Sequence, residues 1–219
     1  LRDASGAMAS EAFSLRQVLA AFQECVSERR EVLLGPYLCG WWGLIRFLNS
    51  LGTVFSFVSD DLVSKVRIME SYRGGKQPEK YVSLQSMVDH ELSSGLVAFQ
   101  EGSGHPESGC RTILRLHRAL RWLQLFLEGL RTGREDSRTS VICVESYNAS
   151  LAAYHPWYIR TAARMAAHTL PPRNTFLAIM NVGRPEDAVA MLGEAIPLIC
   201  DVYSITQELF AQHGLLNLP

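Results

Sequence analysis

The chain has no framework of paired cysteines. Cys25, Cys39, Cys110, Cys143 and Cys200 are scattered, odd in number and include no C-x-x-C. Reduced thiols in a cytosolic compartment fit that pattern better than a metal cluster or a secreted disulfide scaffold. The chain also lacks an excess of either charge, with 21 Lys and Arg against 22 Asp and Glu. A nucleic-acid-binding domain needs a basic balance, so that class falls away. No G-x-S-x-G, H-E-x-x-H or G-x-x-x-x-G-K-[ST] motif occurs, and His90-Glu91 has no second His at ligand spacing. Nothing therefore calls for covalent, metal-assisted or phosphate-loop chemistry, and neither an enzyme nor a cofactor is expected. Long apolar runs are missing too. Residues 32–59 carry one charge, Arg46, but Gly35, Pro36, Gly40, Gly43 and Asn49 interrupt them, and no run reaches the roughly 18 residues of a membrane span.

What is present is apolar. Hydrophobic residues make up 47% of the chain and charged ones 20%, with a mean hydropathy of +0.04. That value is high for a soluble chain and points to a large apolar interior or an apolar cavity. Residues 1–10 are small and polar without periodicity and read as a leader outside the fold. Residues 11–219 read as one domain. No alternating strand pattern occurs. Helical periodicity predicts elements over 13–29, 33–58, about 60–72, 82–99, 110–130, 140–153, 156–168, 175–181 and 185–212. Asp60 and Asp61 are placed at the positive end of the third of these. A Gly- and Ser-rich loop over 100–109 precedes the helix that begins at Cys110, and Pro197 is a candidate kink. The fold class is all-α.

The helix over 110–130 carries the most information. At about 100° per residue, Ile113, Leu116, Leu120, Leu123 and Leu127 form one apolar face. His117, Arg121, Gln124 and Glu128 read as the solvated face. Arg111, Arg115 and Arg118 fall on neither. Their i, i+4, i+7 stripe becomes Trp122, Leu125 and Phe126 one turn later. A surface laced with weak ion pairs is the ordinary reading of such a repeat. However, this helix already has a side to show to water. A line that is cationic and then apolar suits an amphiphile with an anionic head and a hydrocarbon body. Asp61 and Lys65, at i, i+4, read equally as a surface ion pair or as a headgroup clamp. His155, before Pro156 and Trp157, reads first as a structural helix-start residue.

Taken together, several segments resemble the glycolipid-transfer-protein superfamily. They are Trp42 to Phe57, Asp61-Leu-Val-Ser-Lys65, Ser108 to Trp122, Tyr147 to Trp157 and the Leu-Leu-Asn-Leu-Pro219 end. The resemblance runs from about Phe13 to Pro219. It implies a two-layer α-helical sandwich with an internal apolar pocket for ceramide chains and a surface headgroup site. By position, Asp61 matches the family acid that binds the sphingoid amide and hydroxyl, and His155 the His that bonds the acyl carbonyl. Lys65, Arg111 and Arg115 match the cations of the branch that binds a phosphate head. Glycolipid-binding relatives carry Asn, Leu and Trp there. Phe47, Phe55, Phe57, Trp122 and Phe126 are implied for the apolar pocket, and Trp157 with Arg67 for membrane docking. At Asp60 the phosphate branch often has a basic residue.

The implied activity is non-enzymatic transfer of ceramide-1-phosphate or a related sphingolipid by a monomer that touches membranes transiently. The implied location is the cytosol, with peripheral contact at membranes such as Golgi, endosome or plasma membrane. Two other functions fit the same residues: a sensor or carrier of another sphingolipid, and an all-α adaptor whose apolar groove takes a partner helix.

Overall fold

The computed structural model describes residues 11–104 and 107–219. The leader 1–10 and two residues of the loop 100–109 lie outside the described residues. The helices are α1 (Leu15–Gln23), α2 (Leu34–Asn49), α3 (Ser56–Arg73), α4 (Leu84–Ser93), α5 (Gly109–Thr132), α6 (Thr139–Asn148), α7 (Trp157–Ala167), α8 (Arg173–Ile179) and α9 (Pro185–Gln212). Short 3-10 turns occupy Thr53–Phe55, Pro78–Tyr81 and Ala152–Tyr154. Among the described residues the only β pairing is two isolated bridges, Val26 with Val32 and Leu33 with Ser83. The helices stack as a two-layer sandwich. In it α9 packs on α1, α1 on α2, α2 on α3, α3 on α5, and α5 back on α9, while α6 packs on α5 and α7 on α6.

Two boundaries differ from the expectation in ways that matter for function. The helix expected over 33–58 stops at Asn49, because the chain turns at Gly52 with φ +104°, a conformation that side-chain-bearing residues rarely adopt. α3 therefore begins at Ser56. Asp60 and Asp61 lie in its second turn, beyond the reach of the helix N-terminal dipole, which fades within the first turn.

α5 is the spine of the fold. Its predicted apolar face is buried throughout, with Ile113, Leu116, Leu120, Leu123 and Leu127 at 1% exposure or less. The predicted solvated face is half wrong. His117 and Gln124 are buried, because α9 covers them with polar partners of its own. His117 Nε2 meets Gln207 Oε1 at 2.6 Å, its ring stacks on Tyr203 at 4.1 Å, and Gln124 donates to Cys200 Sγ at 2.6 Å. Burial pushes the His117 imidazole down to about 4, so it packs as a neutral ring.

α9 is long and apolar enough to cross a membrane by length and composition. Here its apolar side goes to the core, with Leu192, Ile199, Val202 and Phe210 buried. The helix runs on through Pro197.

Candidate functional site

One basin collects most of the polar residues singled out above. Asp61 and Leu62 of α3, Arg115, Arg118 and Trp122 of α5, Tyr154, His155 and Ile159 line a cavity of about 350 Å³. Beside it lies an almost wholly apolar slot of about 60 Å³, lined by Phe55, Phe57, Trp122, Cys143, Tyr147 and Ala166 among others. Phe57, Trp122, Leu151, His155 and Ile159 line both. The polar basin and the dry slot are thus continuous across one shared wall, with His155 at the border.

His155 is held from below. Tyr147 Oη lies 2.7 Å from His155 Nδ1. Burial keeps the Tyr147 phenol protonated, so its O–H is available to donate to Nδ1. The imidazole proton then sits on Nε2, as a donor for a ligand carbonyl. Burial lowers the His155 pKa, and the Asp61 carboxylate pulls the other way. At neutral pH the ring is therefore a neutral donor, the form that bonds a carbonyl without bringing a charge to an apolar wall.

Lys65 pairs with Asp61 at 2.5 Å, and the lysine side chain is only 18% exposed against 63% for the aspartate. The surface-pair reading and the clamp reading thus describe one arrangement. The pair fixes the carboxylate that lines the basin, while one oxygen of Asp61 stays open to other donors.

No Asp or Glu side chain among the described residues is ion-paired with Arg111, Arg115 or Arg118. Burial, with Arg111 and Arg118 beside it, pushes the Arg115 guanidinium down to about 10. That is still far above neutral pH, so the stripe remains cationic. Arg118 also lies over the Tyr154 ring at 3.8 Å, a cation–π contact that fixes its plane. Arg111 does not line the basin. It faces a neighbouring cavity of about 480 Å³ beside residues 98–104 and Pro219.

The implied apolar pocket divides in two. Phe55, Phe57 and Trp122 line the slot. Phe47 and Phe126 do not. They belong to an aromatic core cluster, with Phe47 at 5.3 Å from Phe13 and 6.0 Å from Phe176, and Phe126 at 5.6 Å from Phe176. Phe47 is drawn there because α2 is buried on nearly all sides.

The model of the glycolipid transfer protein family matches residues 32–182, more than half of the chain and both walls of the basin. The chain belongs to the glycolipid transfer protein family. Among its relatives, the human ceramide-1-phosphate transfer protein is 64% identical over 207 residues, covering 94% of this chain and 97% of that one. The zebrafish (Danio rerio) ceramide-1-phosphate transfer protein is 53% identical over 210 residues, covering 96% and 100%. A crystal structure of the human protein in complex with 2:0 ceramide-1-phosphate superposes with a TM-score of 0.91 at 63% identity, covering 95% of this chain and all of that one.

Membership in the glycolipid transfer protein family directs attention to the outer surface of α7. Trp157 is 71% exposed and Tyr158 57%, with Met165 on the same short helix at 68%. Such side chains suit the interfacial zone of a bilayer. Arg67 is exposed as well, on an open groove of α3 that it shares with Asp60. Trp157→Ala is expected to leave stability within about 0.5 kcal/mol, the usual range for an exposed site. It should lower partitioning to vesicles several-fold without altering headgroup preference. Thermal melting and vesicle sedimentation check this together, and a collapsed melting point would mean that the ring is needed by the fold.

The sequence left out two contributors. Arg118 was visible on the stripe, but its place in the basin depends on Tyr154, on another element. Tyr147 carried a usable signal, since it stands eight residues before His155 in the same conspicuous segment.

Proposed function

We propose that this protein is a cytosolic carrier that takes ceramide-1-phosphate from one membrane, shields it and delivers it to another without making or breaking a bond. The observation that carries this reading is the shared wall between a cationic, hydrogen-bonding basin and a dry slot. A phosphate monoester brings about −1.5 to −2 charges and three acceptor oxygens. Arg115 and Arg118 can meet it through several N–H groups each, with Arg111 next on the stripe. The amide and hydroxyl of the sphingoid base donate to Asp61, and the acyl carbonyl accepts from His155. The two chains pass the shared wall into the slot, where each buried methylene contributes about 0.8 kcal/mol. The relatives' names and the bound lipid in their structures support the same reading. Contact with membranes such as Golgi, endosome or plasma membrane through α7 is part of the proposal.

The test is transfer between vesicles. The protein should move ceramide-1-phosphate and should move phosphatidic acid of matched chains poorly, because that lipid lacks the amide read by Asp61. Arg115→Leu should reduce ceramide-1-phosphate transfer about 10–100-fold, the equivalent of one charged hydrogen-bond partner at roughly 1.5–3 kcal/mol. Its circular dichroism should not change. Equal transfer of the two lipids would exclude the role given to Asp61, and an unaffected Arg115→Leu would move the phosphate elsewhere.

A further inference from the structure

The three arginines of the stripe are each bound to the last residues of the chain. Arg118 Nη2 donates to Leu216 O at 2.8 Å, Arg115 Nη1 to Leu218 O at 3.0 Å, and Arg111 Nε to Pro219 O at 2.6 Å. The order is regular: as the tail advances, it steps back along α5 toward its N-terminus. Arg111 to Arg118 spans seven residues, a rise of about 10.5 Å along a helix. Three residue steps of chain reach at most about 10 Å, and flexible arginine side chains can take up the difference. The tail is brought there by a turn at Gly214, with φ +67°, in which Leu215 N–H bonds Phe210 O at 2.8 Å. It is pinned by the buried side chains of Leu215 and Leu218.

From this register we propose that residues 216–219 are a positioning strap, which holds the guanidiniums of Arg111, Arg115 and Arg118 in the array that receives a phosphate head. The inference rests on the proposed function and adds an element to the same site. Three adjacent cations repel one another and need acceptors to stay ordered. A carboxylate would order them but cancel the charge meant for the ligand. At Leu216 and Leu218 a neutral peptide carbonyl engages one of the five N–H groups of a guanidinium and leaves the others for the phosphate.

A glycine inserted between Leu216 and Asn217 shifts the oxygens of residues 218 and 219 by one step, about 3.3 Å, and leaves Leu216 O on Arg118. The control is Leu192→Ala, which loses a fully buried side chain in the first half of α9 and leaves residues 216–219 unchanged. The readouts are binding of ceramide-1-phosphate in phosphatidylcholine vesicles, the melting temperature, and the NMR order of the arginine Nε–H groups. The insertion is expected to weaken binding at least about tenfold and to loosen Arg111 and Arg115 but not Arg118. Leu192→Ala should bind within a few-fold of the original. A folded insertion variant that binds as the original does would overturn the strap. So would a folded Leu192→Ala protein that loses as much binding as the insertion, since binding would then follow overall stability alone. If the insertion fails to fold, the unmodified protein still decides, because mobile Nε–H groups at Arg111 and Arg115 would refute the strap. If the unmodified protein does not bind ceramide-1-phosphate while these groups are rigid, the proposed function fails and the strap stands as structure.

Discussion

The protein carrying Lys65→Asn, Arg111→Leu and Arg115→Trp together is expected to fold and to lose transfer of ceramide-1-phosphate by at least two orders of magnitude. These substitutions remove the three cations that the sequence resemblance assigns to the phosphate head. Arg115 lines the basin, and Lys65 holds the Asp61 carboxylate. Arg111 completes the stripe from the adjoining cavity. Two charged hydrogen-bond partners of a phosphate at roughly 1.5–3 kcal/mol each amount to about 3–6 kcal/mol. At 1.4 kcal/mol per tenfold that is about 100-fold or more. Arg118 stays, so the residual activity should fall further with added salt, as expected for a single remaining surface cation. Asp61, His155 and the slot are intact, so the ceramide part keeps its partners. Competitive transfer from vesicles holding ceramide-1-phosphate and a neutral glycosphingolipid reads both outcomes. A folded triple variant that moves ceramide-1-phosphate at the original rate sinks the headgroup site as drawn.

Glu91→Ala should cost more stability than any change at the basin, about 3–6 kcal/mol, by leaving three buried donors without an acceptor. Glu91 is 1% exposed. Its Oε2 accepts from Gly109 N–H at 2.8 Å and from Tyr81 O–H at 2.9 Å, and its Oε1 accepts from Cys110 N–H at 2.8 Å. The carboxylate therefore sits on the N-terminus of α5, where N–H groups have no partner within the helix and the helix dipole favours negative charge. Gly109 lets the carboxylate approach this closely, since an added Cβ would lie 2.8 Å from Glu91 Oε2 and 2.7 Å from Met87 Sδ and would push one of them aside. Glu91→Gln keeps the shape and some acceptor capacity and should cost clearly less than Glu91→Ala. Urea unfolding midpoints of the two variants test this. Equal midpoints for Glu91→Ala and the original would show that the cap is dispensable. Because Arg111 lies two residues past Gly109, a loosened cap should also weaken phosphate binding.

The arginine stripe was legible in the sequence because its i, i+4, i+7 spacing is local and a helix fixes its consequences. The aromatic slot was legible in part. Phe55 and Phe57 flank the start of α3 and line the slot, while Phe47 packs on Phe13 and Phe176, and Phe126 stands behind the slot wall on Trp122 and Phe176, contacts that nothing near them in the sequence revealed. His117 and Gln124 were misread for the same reason. Their partners Gln207 and Cys200 stand 90 and 76 residues away, and periodicity on one helix cannot say what covers its polar side. Asp61 and His155 gained their roles from the resemblance, and the structure adds the shared basin and the bond from Tyr147. The oxygens of residues 216–219 belong to the main chain and have no side-chain signature at all.

The slot beside the basin is small, and its smallness has a thermodynamic meaning for a protein that takes up hydrocarbon chains. Empty space inside a protein costs about 24 cal/mol per Å³. A rigid sleeve kept open at roughly 500 Å³ would cost about 12 kcal/mol on that scale, comparable to the whole stability of a typical domain, 5–15 kcal/mol. At about 60 Å³ the same arithmetic gives only about 1.4 kcal/mol. Two hydrocarbon chains need far more room than this, so taking them up must part the walls of the slot, and the protein carries the cost of an open sleeve only where chains fill it.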